Sequence, residues 1–333
     1  MKKVQENKNK FTPLTIALLV VLIIYCLVLF YLLAWTLVTS FKVNRTIFEI
    51  DPFGFIINYD KYLSSFDPEN EAAIIEMLNI MNLKEEGSLM FYTFRRVFTD
   101  FVMPTTTMGN IDAKEVGLLS MYANTLLYAS GCALASTIVP CLSAYACARF
   151  NYKFSKFMHT LVIVVMMIPI VGSLPSEIEV ARTFGVMNSI WGLWIMKANF
   201  LGLYFLVFYD IFKGVPVAFT EAAKIDGASH FQILFKIALP LIKNTFLTVL
   251  LIKFITFWND YQSPMMFMPS FPTIANGLNY IMNLNSNAEQ GSVYTEVPVR
   301  MAMVILTATP VTILFMIFQQ RLLGNLTMGG VKG

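Results

Sequence analysis

The sequence predicts an all-α polytopic membrane protein with six transmembrane helices. Three observations predict it. Apolar residues make up 56% of the chain against only 14% charged, mean hydropathy is +0.63, and several charge-poor runs are long enough to cross a bilayer. The net charge is only +3, and the basic residues are dispersed, so a nucleic-acid partner is not expected. The four cysteines, Cys26, Cys132, Cys141 and Cys147, all lie in apolar runs without zinc-ligand spacing and read as buried small thiols. Two histidines, His159 and His230, make neither a helix-borne metal pair nor a nucleophile–base constellation. No metal site and no catalytic residue is expected.

The chain opens with a cytoplasmic tail, residues 1–12, carrying Lys2, Lys3, Lys8 and Lys10. No charge occurs from Phe11 to Phe41. The run is too long for a signal-peptide core, so residues 13–41 form the first span, amino end inside by the positive-inside rule. Residues 42–115 form a long extracellular insertion between the first two helices, with acidic residues in excess and a short helix expected over Glu71–Leu83. The rest of the membrane domain, 116–320, carries five spans. The second covers Leu118–Ala148, and Arg149, Lys153 and Lys156 mark an inside loop. The third covers Phe157–Leu174 and contains Pro169, which kinks a span and frees a carbonyl. Pro175–Asn188 re-enters from outside.

Span four covers Ser189–Phe212, and an inner loop, 216–240, follows it. Span five runs from Leu241 to Phe257 and ends in Trp258-Asn259-Asp260-Tyr261. Ser263–Pro298 is an outer loop, span six covers Val299–Phe318, and 321–333 is a cytoplasmic tail. Both termini are inside, in the cell membrane.

The inner loop organises the chain. Pro216 suits a first helical turn and Gly227 a left-handed helix end. After Gly227, the residues Phe231, Leu234, Phe235, Ala238 and Leu239 repeat at helical spacing, opposite Gln232 and Lys236. Two short amphipathic helices joined by a glycine offer a docking surface for a cytoplasmic partner. An interfacial loop with a surface Glu–Lys pair has the same periodicity.

The order Glu221-Ala222-Ala223, three residues, Gly227, nine residues, then Ile237-Ala238-Leu239-Pro240 resembles the complete EAA motif of ABC-importer permeases. Gln320-Arg321 followed by Gly324 to Gly333 is similar to the carboxy-terminal tail of the carbohydrate, malG-like branch. Asn124-Thr125-Leu126, Ala144-Tyr145-Ala146 and the Trp258 to Tyr261 stretch add to the resemblance, which runs from about Asn124 onward.

The resemblance implies a type I ABC-importer permease fold and an importer of carbohydrate, with oligosaccharide the expected class. It also implies a second permease subunit in a heterodimer, an ATPase subunit dimer carrying ATP and Mg, and an extracellular solute-binding protein. Glu221, Ala222, Ala223, Asp226, Gly227, Leu239 and Pro240 would couple to the ATPase. Gln320, Arg321, Gly329 and Lys332 would dock the tail. The chain has no phosphate-binding glycine loop, so ATP would be hydrolysed by the separate partner, and this chain would bind no cofactor.

Lys197 and Lys253 interrupt apolar helices, an expensive placement that marks cavities. Tyr204, Trp258, Asn259 and Tyr261 combine aromatic faces with polar groups, as sugar sites do. Lys197 with these four is the candidate substrate path, and a membrane-interface belt is the plainer reading of the aromatics. The same type of permease for a peptide or amino acid is the alternative function. A lone ion-coupled carrier would need charge relays in several spans.

Overall fold

The computed structural model describes residues 12–42, 52–53, 91–107, 110–150, 152–169, 172–284 and 296–326. The amino-terminal tail to residue 11, the Glu71–Leu83 helix, Gly329 and Lys332 lie outside the described residues. Two units cluster separately: residues 1–97 with 284–306, and residues 98–283 with 307–333.

In the first unit, helix α1 (Pro13–Ser40) starts where the Thr12 side chain accepts from the Thr15 amide and Pro13 takes the first helical position. Its most apolar window has a mean hydropathy of 3.2 and buries nothing against protein. A helix apolar all round requires lipid around it, and at about 42 Å it outspans a hydrocarbon core of about 30 Å. Its carboxy end is fixed locally. The Trp35 indole donates to the Pro52 carbonyl at 2.7 Å, and the Phe41 ring lies 5.1 Å from Phe94. Helix α2 (Tyr92–Asp100) is tied to the same corner by the Thr93 hydroxyl, which donates to the Lys42 carbonyl at 2.8 Å.

The second unit opens on an element the all-α expectation lacks. Strands β1 (Val102–Thr107) and β2 (Asn110–Gly117) form an antiparallel hairpin with Val102 opposite Gly117. Pro104 is tolerated because both strands are edges.

The hairpin runs straight into α3 (Leu118–Arg149), a 32-residue helix and the spine of this unit. Small residues along it, Ala129, Ala133 and Ala144, are fully buried and let neighbouring helices approach closely. Its amino end is pinned to the segment that leads into residues 274–283 by the resemblance residues themselves: Asn124 Nδ2 donates to the Pro272 carbonyl at 3.0 Å, and the Thr125 hydroxyl accepts from the Ile274 amide at 2.8 Å.

The later helices are α4 (Lys153–Met167), α5 (Leu174–Thr183), α6 (Ile190–Lys197), α7 (Leu203–Gly214), α8 (Val217–Ile225) and α9 (His230–Leu241). After them come α10 (Lys243–Trp258), α11 (Gln262–Phe267), α12 (Ile274–Asn283) and α13 (Val297–Leu326). The core of the second unit forms where α7 and α10 pack on α3: Phe205, Phe208 and Phe212 are fully buried, and Tyr145 meets Phe212 edge-on at 5.2 Å.

Four further expectations change. Span four is not one helix, because it breaks between Lys197 and Leu203, where Gly202 takes φ +153°, a region closed to side chains with a Cβ. Pro169 does not kink a span, because α4 stops at Met167, before the residue that precedes the proline. The count of six continuous spans is not reached among the described residues. Three helices are long and apolar enough, or five if each of two pairs, bent by 67° and 77°, counts as one. The last helix also runs past Gln320 and Arg321 to Leu326, further than the sequence boundary at 320.

Candidate functional site

The α8–α9 elbow is built by local chain chemistry. Val215 and Pro216 are extended, so Pro216 caps α8 from outside rather than filling its first turn. At the other end, Asp226 is the last residue before the reversal and Gly227 sits at φ +78°. The Gly227 amide donates to the Lys224 carbonyl at 3.0 Å and the Ala228 amide to the Ala223 carbonyl at 2.9 Å. This pair of bonds is the Schellman closure, and its left-handed position favours glycine. Two residues on, Ser229 restarts the chain with a capping box: its hydroxyl accepts from the Gln232 amide and its own amide donates to the Gln232 side chain at 2.8 Å.

Within α9 the turn from Leu234 to Ala238 is a π-helix, with the Leu239 amide reaching back to the Leu234 carbonyl. The widening comes just before Pro240, whose ring clashes with the i−4 carbonyl of a regular helix. It also changes which face is buried. Ile233, Leu234 and Ala238 turn inward, whereas Phe231 and Phe235, expected on the same face as Leu234, are exposed.

Glu221, Ala222, Asp226 and Pro240 are exposed, Leu239 is half-buried and Ala223 is turned in against its own chain. On the two helices Val217, Phe219, Ile225 and Phe231 are exposed, Ile225 to 86%.

The elbow is tied to the spine. Arg149, in the last turn of α3, donates from Nη2 to the Val215 carbonyl at 3.1 Å, and Phe150 meets the His230 ring edge-on at 5.3 Å.

A second site lies at the break in span four. Lys197, Tyr204 and Lys253 share a cavity of about 270 Å³ with Ser136 and Asn199 on its wall. Lys253 Nζ stands 4.8 Å over the Tyr204 ring. The structure therefore brings together two members of the sequence-derived substrate path, Lys197 and Tyr204, and adds Lys253. The other three are elsewhere. The Trp258 indole is buried and donates to the Thr307 carbonyl at 3.1 Å, Asn259 Nδ2 donates to the Ile255 carbonyl at the end of its own helix, and Tyr261 stands exposed before α11. Asp260 is loop-bonded: it accepts the Tyr128 hydroxyl at 2.8 Å and the Gln262 and Ser263 amides at 3.0 Å each. Ser136 and Asn199 carry no sequence signal of their own; they are polar only incidentally until the break in span four places them on one wall.

Comparison with known proteins fits this arrangement. Residues 136–326 match the family described as binding-protein-dependent transport system inner membrane component. The sulfoquinovosyl glycerol transport system permease protein SmoH of Agrobacterium fabrum is 30% identical over 200 residues, covering 59% of this chain and 67% of that protein. The maltodextrin transport system permease protein MdxG of Bacillus subtilis is 28% identical, covering 66% of this chain and 77% of that one. Among solved structures, a bacterial ABC transporter involved in the import of the acidic polysaccharide alginate has a chain that superposes with a TM-score of 0.65 at 21% identity, over 92% of this chain and 95% of that chain. With more than half of its length matched, this chain belongs to the family of binding-protein-dependent transport system inner membrane components, as a multi-pass permease subunit of a transport assembly.

Proposed function

We propose that the chain is one of two transmembrane subunits of an ATP-driven, binding-protein-dependent carbohydrate importer. The observation that carries this reading is the α8–α9 elbow, a rigidly capped reversal that displays Phe219, Ile225 and Phe231 beside Glu221 and Asp226. The transport proteins this chain is similar to, for maltodextrin and for sulfoquinovosyl glycerol, support a sugar cargo.

In the proposed cycle a solute-binding protein delivers sugar at the outer face. A separate ATPase dimer holds ATP and Mg, and its closure moves the elbow. Glu221, Ala222, Asp226 and Gly227 lie on the contact, and Leu239 and Pro240 pass the motion into α10. Arg149 would carry it into α3. The tail, with Gln320, Arg321, Gly329 and Lys332, docks on the same ATPase, and both chain ends are cytoplasmic. Coupling of this kind needs a differential of only about 1–3 kcal/mol between the two states.

The test is the complete assembly with its binding protein in nanodiscs. Sugar-stimulated ATP hydrolysis is expected, and Gly227→Pro or Glu221→Lys should abolish the stimulation or release the ATPase. Normal stimulation in both variants, or stimulation by a peptide or amino acid alone, would overturn the reading.

A further inference from the structure

The cavity at the break in span four has an unusual charge balance. Two ammonium groups, Lys197 and Lys253, open onto it, and no carboxylate is present among the described residues that line it. Neither lysine has an ion pair among the described residues. The nearby acid, Asp260, is held by the Tyr128 hydroxyl and two backbone amides.

Two like charges in an apolar helix bundle repel each other and each loses hydration, so the arrangement is costly unless something negative joins them. Part of the cost is met locally. Lys197 sits in the last turn of α6, where a cation offsets the helix dipole, and Lys253 lies against the face of Tyr204. Those contacts do not remove the net positive charge. The backbone adds to it, because α7 begins at Leu203 on the cavity wall and a helix amino terminus presents unbonded N–H groups to an anion. A broken span whose half-helix starts at a cavity is an arrangement in which transporters hold anionic groups.

We propose that the cargo is an acidic saccharide, and that one of its carboxylates or other oxyanions is bound between Lys197 and Lys253 at the amino end of α7. This rests on the carbohydrate-importer reading above and names the substrate class for it. The Tyr204 ring and the Ser136 and Asn199 side chains complete the site with a stacking face and hydroxyl and amide partners for the sugar ring. At about 270 Å³, near the lower bound of about 300 Å³ for ligand pockets, the cavity takes one charged sugar unit rather than a whole chain.

The experiment uses the complete assembly with its binding protein in proteoliposomes of neutral lipid. Uptake and ATP hydrolysis are measured with neutral glucose and galactose trisaccharides, with uronate trisaccharides and with a sulfated trisaccharide. An acidic sugar is expected to drive both. Lys197→Gln and Lys253→Gln should each lower its uptake by about ten-fold or more, since each removes a charged hydrogen bond. Lys197→Arg and Lys253→Arg should retain most of the uptake, and co-purification of all subunits shows that the variants assemble.

The proposal is overturned if only neutral sugars are carried and both glutamine variants carry them at the unaltered rate. It is also overturned if the lysine dependence appears only when anionic lipid is added, since the anion would then be a lipid headgroup. If no saccharide of either kind stimulates hydrolysis in the unaltered assembly, the importer reading itself falls.

Discussion

Asn188 and Ser270 hold each other through two bonds: Asn188 Nδ2 donates to the Ser270 hydroxyl at 2.9 Å, and Asn188 Oδ1 accepts from the Ser270 amide at 3.0 Å. The Asn188 amide adds a third link, donating to the Phe267 carbonyl at 2.7 Å. Asn188 does this from φ +55°, the one non-glycine residue in that region among those described. Asparagine tolerates the left-handed region better than other residues with a Cβ, so one residue supplies both the turn and the clamp. The pairing joins the loop before α6 to the segment between α11 and α12, and so fixes one end of the broken span.

Replacing Asn188 separates the two roles. Asn188→Gly keeps the backbone but loses both side-chain bonds, and is expected to cost about 1–2 kcal/mol. Asn188→Ala loses the bonds and adds about 1 kcal/mol of left-handed strain. Thermal unfolding of the purified assembly should rank the unaltered chain above Asn188→Gly, and Asn188→Gly above Asn188→Ala. Equal melting of the two variants would show that φ is not under strain.

Gly131 and Trp194 show a different constraint, close packing. A Cβ built on Gly131 would lie 1.9 Å from the Trp194 indole. That ring cannot retreat freely, because Trp191 meets it edge-on at 4.2 Å. Gly131→Ala therefore overpacks the contact between α3 and α6 by about 1–3 kcal/mol. Trp194→Leu in the same chain should recover more than half of that loss, and a double-mutant cycle on unfolding temperature measures the coupling. Additive effects would place the two residues out of contact.

These contacts also mark how far the sequence could be read. The elbow was legible because its signals are local: Gly227 for the reversal and apolar residues at helical intervals after it. The break in span four was not. Ser189 to Phe212 is apolar almost throughout, and Asn199 and Gly202 are tolerated in a continuous helix, so only tertiary packing decides that the chain leaves the helix there. The outward turn of Phe231 and Phe235 was missed because regular helical spacing assumes 3.6 residues per turn, and the wide turn before Pro240 breaks that count. The β1–β2 hairpin was hidden inside a polar stretch whose alternation is weak. Trp258 reads as a sugar platform in sequence because an indole suits both roles; its bond to Thr307 becomes visible only when α10 and α13 are brought together.

Arg149 supplies the sharpest test of how the elbow is connected to the spans. Its bond to the Val215 carbonyl is the charged link from the end of α3 to the residue before Pro216, and its Nε has no partner among the described residues. If the elbow moves as a unit, this link passes the motion to α3, and losing it should affect coupling more than stability. Arg149→Met keeps the length and much of the packing of the stem while deleting the charge and the donor. A hydrogen bond from a charged group contributes about 1.5–3 kcal/mol. The ratio of sugar-stimulated to basal ATP hydrolysis is therefore expected to fall about ten-fold in Arg149→Met. Arg149→Lys restores the charge but not the fork geometry, and should recover only part of the ratio. A purely structural role predicts the opposite pattern: Arg149→Met would lower the unfolding temperature of the assembly while leaving the stimulation ratio unchanged. Measuring both quantities on the same preparations decides between a lever joint and a simple brace.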